Sequence, residues 1–281
     1  MPKLIVENDR GERIQLTQNP NYDILSIDGL YPPSANVNIA ENANFDGGTE
    51  KNSRLNTRNI VLTIAIHQPI EQNRIALYKY FRVKKHCKLY FSNGTREVYI
   101  EGIVEALPVP QWANKERAQV SILCPNPYLI DTKQSETSFS IIESLFEFPF
   151  SLPAEGQEFS RMEFNKEETI IAGDIETGMD IQIIATGSAS NPVIYNTDTL
   201  ESLKVNINLV RGDVLRINTN RGQKAITLTH EGVTTNVIND LEPGSKWLQL
   251  EPGANDILYS ADTSPENLIV NIEYSTLYEG V

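Results

Sequence analysis

Between Ile181 and Ser275 the chain breaks into short runs of β-forming residues: IQIIATG, ESLKVNINL, DVLRIN, KAITLTH, SKWLQL, DILYS and LIVNIEYS. Each run is bounded by Gly, Pro, Asn or Asp, the residues that supply turn conformations. Many short strands separated by turn chemistry specify an antiparallel sandwich or barrel. Two of the turns share one solution. Leu241-Glu242-Pro243-Gly244 and Leu250-Glu251-Pro252-Gly253 both place Pro before Gly, as a type II turn requires. They bracket an expected strand, Lys246–Leu250, that carries Trp247. The same β region is expected to begin upstream in TSFSIIESLFEFPFSLP, with the polar stretch Pro153–Glu168 as a loop.

The first part of the chain reads differently. KLIVENDRGERIQL is strand, turn and strand, with Asn8-Asp9-Arg10-Gly11 as the turn. YDILSIDGLYPP is extended and closed by Gly29 and Pro32-Pro33. The polar, Asn-rich stretch Asn36–Asn59 is a long hairpin or loop, and elements of that length are often interaction elements. In NIVLTIAIHQP, Ile60, Leu62, Ile64 and Ile66 share one face and Val61, Thr63 and Ala65 the other. Both faces are apolar, which predicts a central strand covered on both sides. Pro69 opens a helix, where its missing N–H costs nothing. Ile70, Leu77, Tyr78 and Phe81 form its predicted buried stripe, and Arg82, Lys84 and Lys85 suit its negative end. The aromatics of this helix could also stack on nucleic acid; packing on the sheet is the simpler reading. CKLYFSNGTREVYIEGIVEALPV is a hairpin turning at Asn93-Gly94, and ERAQVSILCP is a further strand. The first part is thus a mostly antiparallel β domain with one packed helix.

The strand VSILC runs into Pro125-Asn126-Pro127, followed at once by Tyr128. Proline donates nothing to a sheet ladder and forces its predecessor into an extended conformation. The chain therefore leaves the sheet stiffly, and Pro125 and Pro127 are the candidate hinge. The charge changes here too. Up to Pro125 there are 15 Lys and Arg against 13 Asp and Glu; beyond it there are 9 against 24. The expected organisation is a β domain over residues 1–125, a stiff linker over 126–138 and a β-sandwich over 139–281. An acidic sandwich repels phosphate, which argues against nucleic-acid binding by that part.

Little in the sequence points to catalysis. Cys87 and Cys124 lie in apolar strand runs and read as buried free thiols. His67, His86 and His230 share no ligand spacing with each other or with the cysteines, so no zinc site is expected. No phosphate-binding loop, nucleophile elbow or HExxH motif occurs. Acidic residues between Asp174 and Asp180 fit no calcium-loop spacing. Two tryptophans stand out as candidate interaction residues. Trp112, in PVPQWANKE, reads as an interface anchor. Trp247 reads as core or interface, or as a platform on which a sugar stacks. The N-terminus lacks the apolar core of a signal peptide, and no run reaches membrane-spanning length. A soluble protein made in the cytoplasm, without cofactor or metal, is expected.

The chain resembles the distal tail (Dit) proteins of tailed bacteriophages. The matching stretches are LSIDGLYPP, RNIVLTIAI, the LYKYF helix, YIEGIVE and the CPNPY strand exit, then FEFPF, ATGSASNPVIYN, LVRGDVLRINTNRGQKAITL and the closing YEGV. The resemblance implies a tail-tube-like N-terminal domain that assembles into a hexameric ring. It implies a galectin-like or carbohydrate-module-like sandwich pointing outward. The ring would be a structural, non-enzymatic baseplate hub in the virion. It would join the tail tube protein to a tail-associated lysin, fibre or receptor-binding protein, with DNA passing through its lumen and no membrane insertion. The chain has no room for the inserted carbohydrate-binding module of some relatives. A carbohydrate-binding adsorption protein acting through the sandwich remains the alternative. A sandwich glycosidase would need two opposed carboxylates, and no motif singles out such a pair.

Overall fold

A computed structural model describes residues 2–41, 46–110, 116–140 and 167–281. The chain is mainly β and its strands pair antiparallel. It divides into two compact units, Met1–Thr132 with Leu277–Val281, and Lys133–Thr276.

The first unit contains β1 (Lys3–Glu7), β2 (Arg13–Gln15), β3 (Tyr22–Asp28), β4 (Ala35–Glu41), β5 (Gly48–Leu55), β6 (Arg58–Ile66), α1 (Ile70–Tyr80), β7 (His86–Ser92), β8 (Glu97–Ala106), β9 (Arg117–Cys124) and the start of β10 (Leu129–Ser140). Its sheet runs β3-β6-β9-β8-β7-β1-β2, with β10 joining β8 at Ile130 opposite Tyr99. The core is the inward face of these strands, where Leu4, Val6, Leu62, Ile64, Leu89, Ile100 and Ile122 are buried. β6 is central, between β3 and β9, as its composition predicts. Only one of its faces is fully buried, however; Val61, Thr63 and Ala65 are half-buried. Small and β-branched residues on that face satisfy strand geometry without demanding cover.

The helix begins after Pro69 as expected, and of the expected stripe Leu77 and Phe81 are buried and Ile70 packs against the core, while Tyr78 turns outward. Asn73, Arg74 and Leu77 are its buried residues, Phe81 is buried just beyond, and Tyr78 is 40% exposed. Asn73 is tolerated there because its polar groups are satisfied. Its Nδ2 donates to the His67 carbonyl at 2.9 Å, and its own carbonyl accepts the Tyr22 hydroxyl at 2.8 Å. Reading by apolar residues alone rotated the stripe toward Tyr78.

The second unit is a sandwich. One sheet contains β12 (Met179–Ala185), β16 (Val214–Asn218), β17 (Ala225–His230), β18 (Val233–Asn236) and β20 (Leu268–Tyr278), in the order β18-β17-β16-β12-β20. The other contains β11 (Glu167–Ile171), β13 (Ala189–Asn196), β14 (Glu201–Lys204), β15 (Asn208–Leu209) and β19 (Gly253–Thr263), in the order β11-β19-β13-β14 with β15 beside β13. Ile181, Ile183, Leu215, Ile217, Val270 and Ile272 from the first sheet bury against Ile194, Leu203, Ile257 and Tyr259 from the second. The period-two alternation of these strands makes one face of each sheet apolar, and stacking the sheets removes both faces from water.

Candidate functional site

Lys246–Leu250, expected as a strand, forms no ladder. It is held by Lys246 N donating to the Ser202 carbonyl at 2.8 Å and by a single bridge between Thr177 and Leu250. Its alternation is strand-like, with Leu248 and Leu250 fully buried and Trp247 and Gln249 facing the other way. The flanking turns leave too little chain for continuous pairing. At the first turn Ser245 N donates to the Glu242 carbonyl at 3.1 Å, and Gly244 takes φ +98°. At the second, the buried Asn255 side chain closes the backbone. It accepts from Glu251 N at 2.8 Å and donates to the Glu251 carbonyl at 2.7 Å. Gln249 Nε2 donates to the carbonyls of Thr219 and Leu248, both at 2.9 Å. These bonds fix Trp247 beside a cavity of about 420 Å³, lined also by Glu201, Lys224, Lys246, Gln249 and Glu251. The Lys224 ammonium lies 5.4 Å from the Trp247 ring centroid, a cation–π contact. Glu176, also on the wall, is ion-paired with Arg221.

A second constellation surrounds Arg58 and was not read from the sequence. Arg58 is 2% exposed and donates to four backbone carbonyls. They are Pro127 at 2.6 Å, Gly29 at 2.6 Å, Tyr31 at 2.9 Å and Glu279 at 2.6 Å. Burial lowers the pKa of this guanidinium, but an arginine remains protonated at neutral pH. The bend at Gly29 needs glycine. Its φ is +90°, and an added Cβ would lie 2.2 Å from the Asn59 carbonyl oxygen. Arg58 thus ties the exit beyond Pro125 and Pro127 to the Gly29–Tyr31 bend and to the chain's last residues. Arg96 adds to the tie, donating to the Gly280 carbonyl and stacking 4.2 Å from the Tyr278 ring centroid. The stretches IDGLYPP, RNIVL, CPNPY and YEGV, far apart in sequence, therefore meet at one guanidinium.

Trp112 lies outside the described residues. Cys87 and Cys124 are buried free thiols, and burial pushes both up to about 12. Thiols held protonated in this way are poor nucleophiles. Among the described residues no three His, Cys, Asp or Glu side chains converge as a metal site. Nor, among them, is any helix long and apolar enough to cross a membrane. His230 Nδ1 meets the buried Asp213 carboxylate at 2.6 Å, and this bond raises the histidine's pKa.

Two family descriptions match successive parts of the chain. The phage tail protein RIFT-related domain matches residues 9–124, and the siphovirus-type tail component C-terminal domain matches residues 172–278. Curated protein sequences provide no match. Among solved structures, the chain is similar to the Dit protein (gp 19.1) of phage SPP1, described as a paradigm of the hub adsorption apparatus in phages infecting Gram-positive bacteria. The TM-score is 0.68 at 13% identity, over 98% of each chain. It is also similar to a chain of the phage P2 baseplate in its activated conformation with calcium, with TM-score 0.54 at 10% identity over the whole of both chains. The corresponding strontium structure gives 0.55 at 10% identity, again over the whole of both chains. With both domain families present in order, and one fold spanning the chain, the protein belongs to the phage distal tail (Dit) family of tail components.

Proposed function

We propose that this structural tail component closes into a sixfold ring at the distal end of the tail. The ring acts as a hub between the tail tube protein and a lysin, fibre or receptor-binding protein, and DNA passes through its lumen. The observation that carries this reading is the hairpin β4–β5. Among the described residues its strands pair only with each other, and Val37 and Ile39 on it are 48% and 59% exposed. A lone two-stranded hairpin is marginally stable in water. A neighbouring copy that covers it supplies the missing contacts, and a heterologous contact repeated around a closed rotation makes a ring. The acidity of the second part favours this arrangement by keeping neighbouring copies apart.

Negative-stain imaging of the purified protein tests the ring. Sixfold particles of six times the 31.5 kDa chain mass are expected, alone or with the tube protein. A monomer under both conditions would overturn the reading. In the same reading, Pro125 and Pro127 act as the stiff hinge between a ring-forming N-terminal part and the sandwich. Replacing both with glycine is expected to broaden the distance distribution measured by small-angle scattering. An unchanged profile with unchanged ring yield counts against the hinge.

A further inference from the structure

We propose that the cavity beside Trp247 binds an uncharged hexopyranose ring. Its volume, about 420 Å³, lies within the range of small-ligand sites, roughly 300–1,000 Å³. Its chemistry narrows the class. The half-buried Trp247 ring offers a flat apolar surface matching the C–H face of a pyranose. Around it stand the carboxylates of Glu201 and Glu251, the ammonium of Lys246 and the hydroxyl of Thr199. None of these four side-chain groups has a hydrogen-bond or ion-pair partner among the described residues. Each hydroxyl of a vicinal diol both donates and accepts, so a wall that mixes donors with acceptors complements it. A cationic ligand would meet Lys224 and Lys246, and an anionic one would meet Glu176, Glu201 and Glu251. Repulsion of either sign costs affinity, and an uncharged ligand avoids both.

The site is also held ready. Trp247 is positioned by two Pro-Gly turns, by the buried Leu248 and Leu250, and by the Gln249 and Asn255 hydrogen bonds. A preformed platform reduces the ordering cost of binding. Lys224 is exposed and its ammonium lies 5.4 Å from the ring centroid, so a sugar stacked on that face would displace it.

Calorimetric titration of the full chain tests this. The probes are methyl α-D-glucopyranoside, methyl α-D-galactopyranoside and N-acetylglucosamine, with choline and glucuronate as charged controls. Saturable binding of at least one uncharged sugar, and of neither control, is expected. Trp247→Ala and Glu201→Ala should each weaken it about tenfold or more, the scale of one lost charge-assisted hydrogen bond or stacking contact. Trp247 also packs on the core, so Glu201→Ala, with an unchanged melting temperature, is the variant that separates binding from folding. Lys224→Ala should bind at least as tightly as the parent. The proposal is overturned if no uncharged sugar saturates, if a charged control binds better, or if Glu201→Ala leaves affinity unchanged. Light scattering on the same samples reads the ring separately, so failure of one proposal does not imply failure of the other.

Discussion

Two hairpins of the first unit share a secondary structure and differ in what supports them. β7–β8 turns at Asn93-Gly94, with the Asn93 carboxamide accepting from Thr95 N and Arg96 N at 2.9 and 2.8 Å. Cys87, Leu89, Val98, Ile100 and Val104 along it are buried. β4–β5 is also paired along its length, with one register shift between Asn38 and Ile39, but buries none of its described side chains. The first hairpin finds its apolar contacts within its own chain. The second carries Val37 and Ile39 on a mostly polar ribbon, where they stay 48% and 59% exposed. Hydrogen bonding alone therefore does not distinguish a structural hairpin from one that serves an interface; the destination of its apolar side chains does.

The largest effect should come from the supported hairpin. Leu89→Ala removes a side chain that is 3% exposed and leaves a cavity in the core. A loss of about 2–5 kcal/mol in urea unfolding is expected. A loss below about 0.5 kcal/mol, typical of surface sites, would contradict the contrast. Next comes the tie on which the first unit closes. Arg58→Met keeps bulk but leaves four backbone carbonyls, the buried Gly29 carbonyl among them, without their donor, and about 2–4 kcal/mol should be lost. Hydrogen exchange should then rise at the Val281 amide, which donates to the Leu30 carbonyl (3.2 Å) beside that tie. Unchanged protection there would contradict the role given to Arg58.

The hairpin β17–β18 provides a smaller, pH-dependent test. It turns through Glu231-Gly232, both with positive φ, and Val233 is 64% exposed. His230 anchors it to Asp213. Because folding raises this histidine's pKa, its protonation favours the folded state. The contribution is fully present below the unfolded value of about 6.5 and is lost as pH rises through the folded value. The difference in melting temperature between the parent and His230→Gln should therefore shrink from acid to alkaline pH. A difference that grows with pH would contradict it.

Much of the fold was legible because it rests on local signals. Alternating apolar residues mark the strands, Asn93-Gly94 marks its turn, Pro69 marks the helix start, and Asn36–Asn59 reads as a hairpin or loop. The features that were missed depend on partners distant in sequence. Arg58 meets Glu279 across the length of the chain, and nothing near Arg58 signals that contact. Asn73 and Arg74 are buried on the helix although their polarity argues for the surface. Lys246–Leu250 alternates like a strand, yet isolated backbone bonds and the Gln249 side chain hold it rather than a ladder. Of the candidate site, Trp247 was legible as an aromatic between two Pro-Gly turns, in the core, at an interface or as a stacking platform. Glu201, at the start of β14, and Lys224, in the loop before β17, are distant in sequence and only the sandwich brings them to it.

The most direct test replaces both exposed apolar residues of the unsupported hairpin, as Val37→Asp with Ile39→Asp, and measures solution mass by light scattering across concentration. The parent should assemble into the ring. The variant should remain monomeric while its unfolding free energy in urea stays within about 0.5 kcal/mol of the unassembled parent's, as for other surface substitutions. A variant that assembles as well as the parent would contradict the claim that this hairpin exists to be covered by a neighbouring copy.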